Sequence, residues 1–257
     1  MTEIIEQGNV EYSISTKGIA TIEFSHPQSN SLPGKILQKL ADTISQMGER
    51  SEVNVIIIKS SGTKAFCAGA SFDELISISD LQIGKKFFSG FANVINACRK
   101  NPKIIIGRIQ GKAVGGGVGI AAAADYCFAT KNAEIKLSEL AVGIGPFVVG
   151  PVIERKIGLS AMSQLAINAN EFRSATWALK NGLYADVYDN EHEMDFAINK
   201  LAETLAGSNP EAMTNLKSIF WEGTDHWDSL LIERAEISGT LVLSEFTTNA
   251  INSFKKK

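Results

Sequence analysis

Apolar and polar positions along the first half of the chain follow strand and helix periods in turn. Two short stretches with strand-like spacing, residues 11–15 and 19–24, flank the turn sequence TKG, which predicts a β-hairpin. The continuous β-branched runs VNVIIIKS and KIIIGRIQG predict strands buried on both faces. Apolar side chains recur at helical spacing over residues 36–47 and 87–98. This succession of strands and helices predicts an α/β fold whose parallel strands are joined by helical crossovers.

The second half of the chain changes period at about residue 190. From there to the end the spacing of apolar residues is helical throughout. We therefore expect two parts: a β/α core over residues 1–190, which carries the site, and a helical region over residues 191–257. A length of 257 residues with 44% hydrophobic residues is sufficient for a sizeable core.

Charge and cysteine usage exclude several classes of function. The net charge of −3 provides no basic surface for nucleic acid or for an anionic membrane, so neither is expected as a partner. The N-terminus has the pattern of neither a secretory signal nor a transit peptide, and the longest apolar runs are too short to span a bilayer. These features predict a cytoplasmic protein. Cys67, Cys98 and Cys127 lack CxxC spacing, which predicts buried thiols rather than a disulfide or a metal site.

The stretch AVGGGVGIAAAADY concentrates glycine where the second buried strand gives way to a helix. Glycine there permits close backbone approach and leaves N–H groups free at the helix start, where they stabilise negative charge. The run matches neither GxGxxG nor GxxxxGK[ST], so it is not a phosphate-binding fingerprint. A second small-residue turn, AFCAGA, follows the first buried strand. Because adjacent parallel strands end at one edge, the two turns together indicate an oxyanion hole.

These two stretches in their wider context resemble the crotonase superfamily, the enoyl-CoA hydratases and isomerases. The resemblance also covers HPQSNSL, LSELAVGIGP and the C-terminal SEFTTNAINSFKKK. It implies a spiral of ββα turns, a C-terminal helical region used in oligomerisation, and assembly as a homotrimer or homohexamer. It also implies an acyl-CoA thioester as ligand, with coenzyme A as part of the substrate and no separate cofactor.

The resemblance assigns roles to particular residues. The oxyanion donors would be the backbone N–H groups of Ala68 and Gly116, each contributing about 3 kcal/mol. Glu139 in LSELAVGIG would be the general acid and base, with a pKa raised by its apolar neighbours. The residues expected to contact the substrate are Lys64, Ala65, Ala70, Phe72, Gly115, Gly119 and Phe254. Lys64 is expected to lie at the coenzyme A phosphates, and Phe254 near the adenine. The stretch AVGIGPFVVGPV is expected to line part of the acyl pocket.

The sequence departs from the family pattern at Gly119, where two-carboxylate hydratases carry a second glutamate. Two enzymatic interpretations follow. In one, Glu139 orients water for syn addition to a 2-enoyl-CoA; in the other, it moves a proton between C2 and C4, as in a Δ3,Δ2-enoyl-CoA isomerase. The wider sequence is similar to bacterial methylglutaconyl-CoA-type hydratases, which favours hydration. A non-catalytic acyl-CoA-binding protein is the alternative of another class.

Overall fold

The computed structural model describes residues 8–255, apart from the side chains of Asn252, Phe254 and Lys255. The strands are β1 (Asn9–Ile14), β2 (Ile19–Ser25), β3 (Val55–Ser60), β4 (Ala65–Cys67), β5 (Ile104–Ile109), β6 (Lys112–Val114), β7 (Tyr126–Thr130), β8 (Ile135–Lys136) and β9 (Asp186–Tyr188). The helices of the first part are α1 (Gly34–Glu49), α2 (Phe72–Ser77), α3 (Leu81–Lys100), α4 (Gly116–Ala123), a 3₁₀ turn (Glu139–Val142), α5 (Gly150–Ile167) and α6 (Ala175–Lys180). Those of the second part are α7 (Glu191–Ala206), α8 (Pro210–Phe220), α9 (Trp227–Leu241) and α10 (Glu245–Lys255).

The strands form two sheets. Six of them make a sheet of order β1-β2-β3-β5-β7-β9, in which only the predicted hairpin of β1 and β2 is antiparallel. The short strands β4, β6 and β8 make a second, parallel sheet. Strands β3, β5 and β7 of the large sheet are each followed at once by a strand of the small one. This confirms the α/β class and the expected spiral of ββα turns.

Because of the second sheet, the two small-residue turns do not lie at the ends of the strands that the sequence predicts. KIIIGRIQG is not followed directly by the glycine run, because β6 intervenes between them. The turns therefore extend from β4 and β6, which pair in parallel with Cys67 opposite Ala113. The predicted convergence at one sheet edge holds, but at the edge of the small sheet. The three cysteines are buried and free, as predicted.

The helical region packs closely on the strands and helices that precede it. Met194, Ile198 and Ala202 of α7 form a buried cluster with Val55, Ile57, Ile106 and Phe128 of the large sheet. Helix α9 lies along α3, where a Cβ on Gly84 would be 2.9 Å from the Cα of Gly239. The boundary at residue 190 and the role of the helices in oligomerisation stay predictions.

Candidate active site

A largely apolar cavity lies where the two small-residue turns meet the 3₁₀ turn. Side chains from α2, α3 and the segment before α5 form its walls. The lining residues are Ala68, Gly69, Ala70, Phe72, Leu75, Phe88, Phe91, Gly115, Gly116, Ser138, Glu139, Val142, Ile144, Gly145, Pro146, Phe147, Val148, Val149 and Ser238. Seven of them belong to AVGIGPFVVGPV, the stretch that is expected to line part of the acyl pocket.

The glycines at the start of α4 are required by the packing of the protein itself. Gly115 has φ +52°, and a Cβ on it would lie 2.8 Å from Oε1 of Glu139. A Cβ on Gly116 would collide with the ring of Phe91, and one on Gly117 would lie 2.6 Å from the carbonyl oxygen of Cys67. The run thus lets the turn approach a carboxylate, a ring and a strand at once.

The two turns adjoin each other beside the cavity. A Cβ on Gly69 would lie 2.9 Å from the carbonyl oxygen of Val114 and 3.6 Å from the nitrogen of Gly116. Gly116 is the first residue of α4, so its N–H has no partner within the helix. In the described part of the chain, the N–H groups of Ala70 and Gly116 donate no hydrogen bond. Both residues line the cavity.

The prediction of Ala68 as an oxyanion donor is wrong. Its N–H donates to the carbonyl oxygen of Ser29 at 3.1 Å, which ties the turn to the loop before α1. Gly69 donates to Sγ of Cys67 at 3.3 Å. The N–H that stays available on this turn belongs to Ala70, two residues further on. Ala70 was expected only as a substrate contact.

Glu139 begins the 3₁₀ turn, with its carboxylate against Gly115. The residue as a whole is half-buried, but Oε2 is inaccessible to solvent and has no hydrogen-bond partner within residues 8–255. Burial raises the pKa of Glu139 to about 7, and a hydrogen bond from its own backbone N–H opposes that rise. A carboxyl group with this pKa can both accept and return a proton near neutral pH.

Gly119 does not line the cavity, contrary to its prediction as a substrate contact. A Cβ on Gly119 would lie 2.5 Å from Cγ1 and 2.8 Å from Cβ of Val149. Val149 is itself 4% exposed and lines the cavity. The side chain of Val149 therefore takes the space next to position 119. The structure places no second carboxylate among the lining residues that it describes.

Of the other residues predicted to contact the substrate, some line the cavity and others do not. Phe72 lines it and is 39% exposed, which places its ring near the opening. Lys64 is exposed and Ala65 is half-buried, and neither is among the lining residues. The contact of Phe254 with adenine involves a side chain that lies outside the described residues. The roles of Lys64 and Phe254 toward coenzyme A stay predictions.

Among the lining residues that sequence reasoning missed are Phe91 and Ser238, which come from distant helices. Phe91 fits the apolar face of α3 and was assigned only to the core, although its ring also reaches the cavity. Ser238 lies on α9, and its hydroxyl donates to the carbonyl oxygen of Arg234 at 3.3 Å. No local motif marks either residue, because only the packing of α9 on α3 brings Ser238 to the site. Among residues 8–255 no cluster of His, Cys, Asp and Glu suited to a metal ion occurs, and no helix has the length and apolarity of a bilayer span.

Comparison with known proteins places this geometry in a family. The enoyl-CoA hydratase/isomerase family model matches residues 15–252. A short-chain-enoyl-CoA hydratase of Clostridium acetobutylicum is 27% identical over 242 residues, which cover 93% of this chain and 92% of that protein. The human mitochondrial methylglutaconyl-CoA hydratase is 30% identical over 234 residues, covering 89% and 68%.

The solved structures agree on the fold. The crystal structure of an enoyl-CoA hydratase from Bacillus halodurans superimposes with a TM-score of 0.87 at 18% identity, covering 95% of this chain and 99% of that one. The α/β spiral, with two free backbone N–H groups and a carboxyl group at one cavity, is consistent with this match. The chain belongs to the enoyl-CoA hydratase/isomerase family.

Proposed function

We propose that this protein is an acyl-CoA hydratase that adds water across the C2=C3 bond of a 2-enoyl-CoA. The observation that carries the proposal is the position of Glu139. Its carboxylate, with a pKa of about 7, lies against Gly115 beside the free N–H of Gly116. Coenzyme A enters as part of the substrate, and no resident cofactor takes part.

The two free N–H groups supply the electrophilic half of the site. We assign the thioester oxygen to the N–H groups of Ala70 and Gly116, which are fixed before the substrate binds. As water attacks C3, the π electrons move toward C2 and negative charge develops on that oxygen. Fixed donors in an apolar cavity stabilise such charge, and loss of one donor costs about 2.7–4 kcal/mol in comparable sites.

Glu139 supplies the proton transfers. The ionised carboxylate accepts a proton from the attacking water while the oxygen–C3 bond forms. The resulting carboxylic acid then gives that proton to C2, so that the elements of one water molecule are added and Glu139 returns to its starting state. A general base of this kind contributes roughly 10²–10⁴-fold in rate.

A second candidate function uses the same groups without water. In a Δ3,Δ2-enoyl-CoA isomerase, Glu139 removes a proton from C2 of a 3-enoyl-CoA and returns it to C4. The observation that favours this reaction is Val149, which takes the space where a second carboxylate would reach the cavity. Such chemistry needs one base only. We rank it second because the two curated relatives compared above are both named as hydratases.

The decisive experiment is turnover of crotonyl-CoA and 3-hexenoyl-CoA by wild type and by Glu139→Gln. Loss of the conjugated enoyl-thioester absorbance with crotonyl-CoA, abolished in the variant, supports the hydratase. Gain of that absorbance with 3-hexenoyl-CoA and no reaction of crotonyl-CoA would replace it by the isomerase. Tight binding of both compounds with no turnover would favour a non-catalytic acyl-CoA-binding protein. Light scattering and cell fractionation test the predicted trimer or hexamer and the cytoplasmic location.

A further inference from the structure

Val149 and Gly119 form a steric pair in the wall of the cavity. Val149 immediately precedes α5, and Gly119 lies in the first turn of α4. Because a Cβ at position 119 would be 2.5 Å from Cγ1 of Val149, the glycine accommodates the valine side chain. Val149 lines the cavity, whereas Gly119 is buried and does not. At this point of the wall, residue 149 and not residue 119 therefore faces the cavity.

An apolar wall limits where water can bind. An ordered water molecule in a protein needs two to four polar partners. The polar side chains that line this cavity are Ser138, Glu139 and Ser238. Ser238 already donates within its own helix, at 3.3 Å. The partners left for water beside the acyl chain are therefore few, namely Glu139, the Ser138 hydroxyl and backbone groups of the lining, and the side chain of Val149 adds none.

We propose that Val149 is a specificity-determining residue: it restricts water beside the acyl chain and thereby sets the ratio of hydration to double-bond migration. The inference rests on the proposed function, since both reactions use the oxyanion donors and Glu139.

The two reactions share the oxyanion donors and Glu139, but only hydration consumes a water molecule. In hydration, an oxygen–C3 bond forms, the C2=C3 π bond breaks, and the proton taken from water by Glu139 ends on C2. In migration, a C2–H bond breaks, the C3=C4 π bond becomes C2=C3, and the proton taken by Glu139 ends on C4. Neither step changes the oxidation state of the substrate as a whole. A wall residue that binds or excludes water acts on the first reaction and not on the second.

The test compares Val149→Ala and Val149→Thr with Val148→Ala and Val148→Thr. Val148 is 5% exposed and lines the same cavity, but its side chain is not among the atoms nearest to position 119. For each protein, kcat/KM is measured for hydration of 2-hexenoyl-CoA and for isomerisation of 3-hexenoyl-CoA. The ratio of the two values does not depend on how much of the preparation is active. Val149→Thr keeps the branched side-chain shape, and threonine is a favoured residue at the position before a helix. This variant therefore tests the proposal if Val149→Ala folds poorly.

We expect both Val149 variants to raise the hydration-to-isomerisation ratio about tenfold or more, since one methyl-sized change in a pocket is worth at least that much. The Val148 variants should change the ratio less than twofold, whatever they do to either rate. An unchanged or lowered ratio in the Val149 variants, or an equal rise in the Val148 variants, would overturn the inference. If wild type turns over neither substrate, the proposed function itself is wrong. That result differs from an unchanged ratio in active Val149 variants, which would overturn only the role of Val149.

The steric half of the inference has its own measurement. Gly119→Ala is expected to lower the melting temperature because its methyl group would meet Val149. Combining it with Val149→Ala should recover part of that loss, so the double variant melts higher than the sum of the single effects predicts. Additive losses would show that positions 119 and 149 do not share this space.

Discussion

The carboxylate of Glu139 lies against the backbone of Gly115, so closely that a Cβ on Gly115 would be 2.8 Å from Oε1. The two are 24 positions apart in the chain, and a strand pairing brings them together: β6 and β8 align Val114 with Lys136. Gly115 then donates its N–H to the carbonyl oxygen of Lys136 at 2.8 Å. The glycine turn and the acid–base group therefore form one unit.

Replacing Gly115 by alanine should remove most of the activity. The added methyl group would displace the Glu139 carboxylate, and the backbone of Gly115, with φ +52° and ψ −117°, is sparsely populated by L-residues and costs them about 1–3 kcal/mol. We expect kcat to fall by about 10²-fold or more, because small misplacements of a catalytic group have effects of that size. Steady-state kinetics check this.

The matched control for that substitution is Gly62→Ala. Gly62 has φ +76°, and a Cβ there would meet nothing within 4 Å. Gly62→Ala should therefore show the backbone strain, as a modest loss of stability, and keep near-wild-type kcat. Similar losses of kcat in both variants would assign the effect of Gly115→Ala to general strain.

The activity should depend on pH through Glu139. The proposed reaction needs the ionised carboxylate, so kcat/KM is expected to rise with pH, with a midpoint near 7. Glu139→Gln should lower kcat by about 10²–10⁴-fold and abolish this midpoint. A profile that is flat between pH 5 and pH 8 in wild type would contradict the role of Glu139.

Stability should show the opposite trend with pH. The folded-state pKa of Glu139 lies above its ordinary value of 4.5, so the unfolded chain releases this proton more readily. Below pH 4.5 the group is protonated in both states; the free energy of unfolding decreases as pH rises from 4.5 to about 7, and above 7 the loss is complete and constant. We therefore expect Glu139→Gln to gain stability relative to wild type over that interval. Urea unfolding at pH 4.5, 6 and 8 measures the difference.

The cavity should reject acyl chains that carry a second carboxylate. Its described lining includes no Lys, Arg or His, and its one charged side chain is the acidic Glu139. A buried distal carboxylate would have no partner and would repel Glu139. We expect kcat/KM for glutaconyl-CoA to be at least about 10²-fold below that for 2-pentenoyl-CoA, which has the same carbon chain. Comparable values would mean that a cation from outside the described lining reaches the acyl group.

A buried ion pair away from the site should matter for stability only. Lys217 on α8 and Asp125 are joined at 2.6 Å, with each side chain 3% exposed. Asp125 also accepts hydrogen bonds from the N–H of Ile105 and from Nε1 of Trp221. Lys217→Met leaves a buried carboxylate without its counter-ion and should lower the free energy of unfolding by about 3–5 kcal/mol.

The control is Lys85→Met at the more exposed pair with Glu236, which should cost less than about 1 kcal/mol. Denaturant unfolding measures both variants. Equal effects would show that Asp125 is adequately stabilised by its two other donors.

Local pattern was sufficient for much of the fold. The β-branched runs become the central strands β3 and β5, because a short continuous run of apolar residues is typical of a strand that is covered on both faces. The glycine run and Glu139 were also identified from the sequence, since glycine before a helix and a carboxyl group in an apolar stretch each have a direct chemical meaning. The family resemblance supplied the spiral itself, which spacing does not encode.

Tertiary structure decided which N–H is available and which side chain fills the space beside position 119. Whether Ala68 or Ala70 offers its N–H depends on the carbonyl of Ser29, some forty residues earlier in the chain, which takes the N–H of Ala68. The sequence determined that position 119 has no side chain, but only the folded protein determined that Val149 fills that space. Hydrogen bonds and steric contacts between distant segments form after the chain has packed, so the sequence set the strands, the glycine turn and the acid–base group, while packing decided which atoms face the substrate.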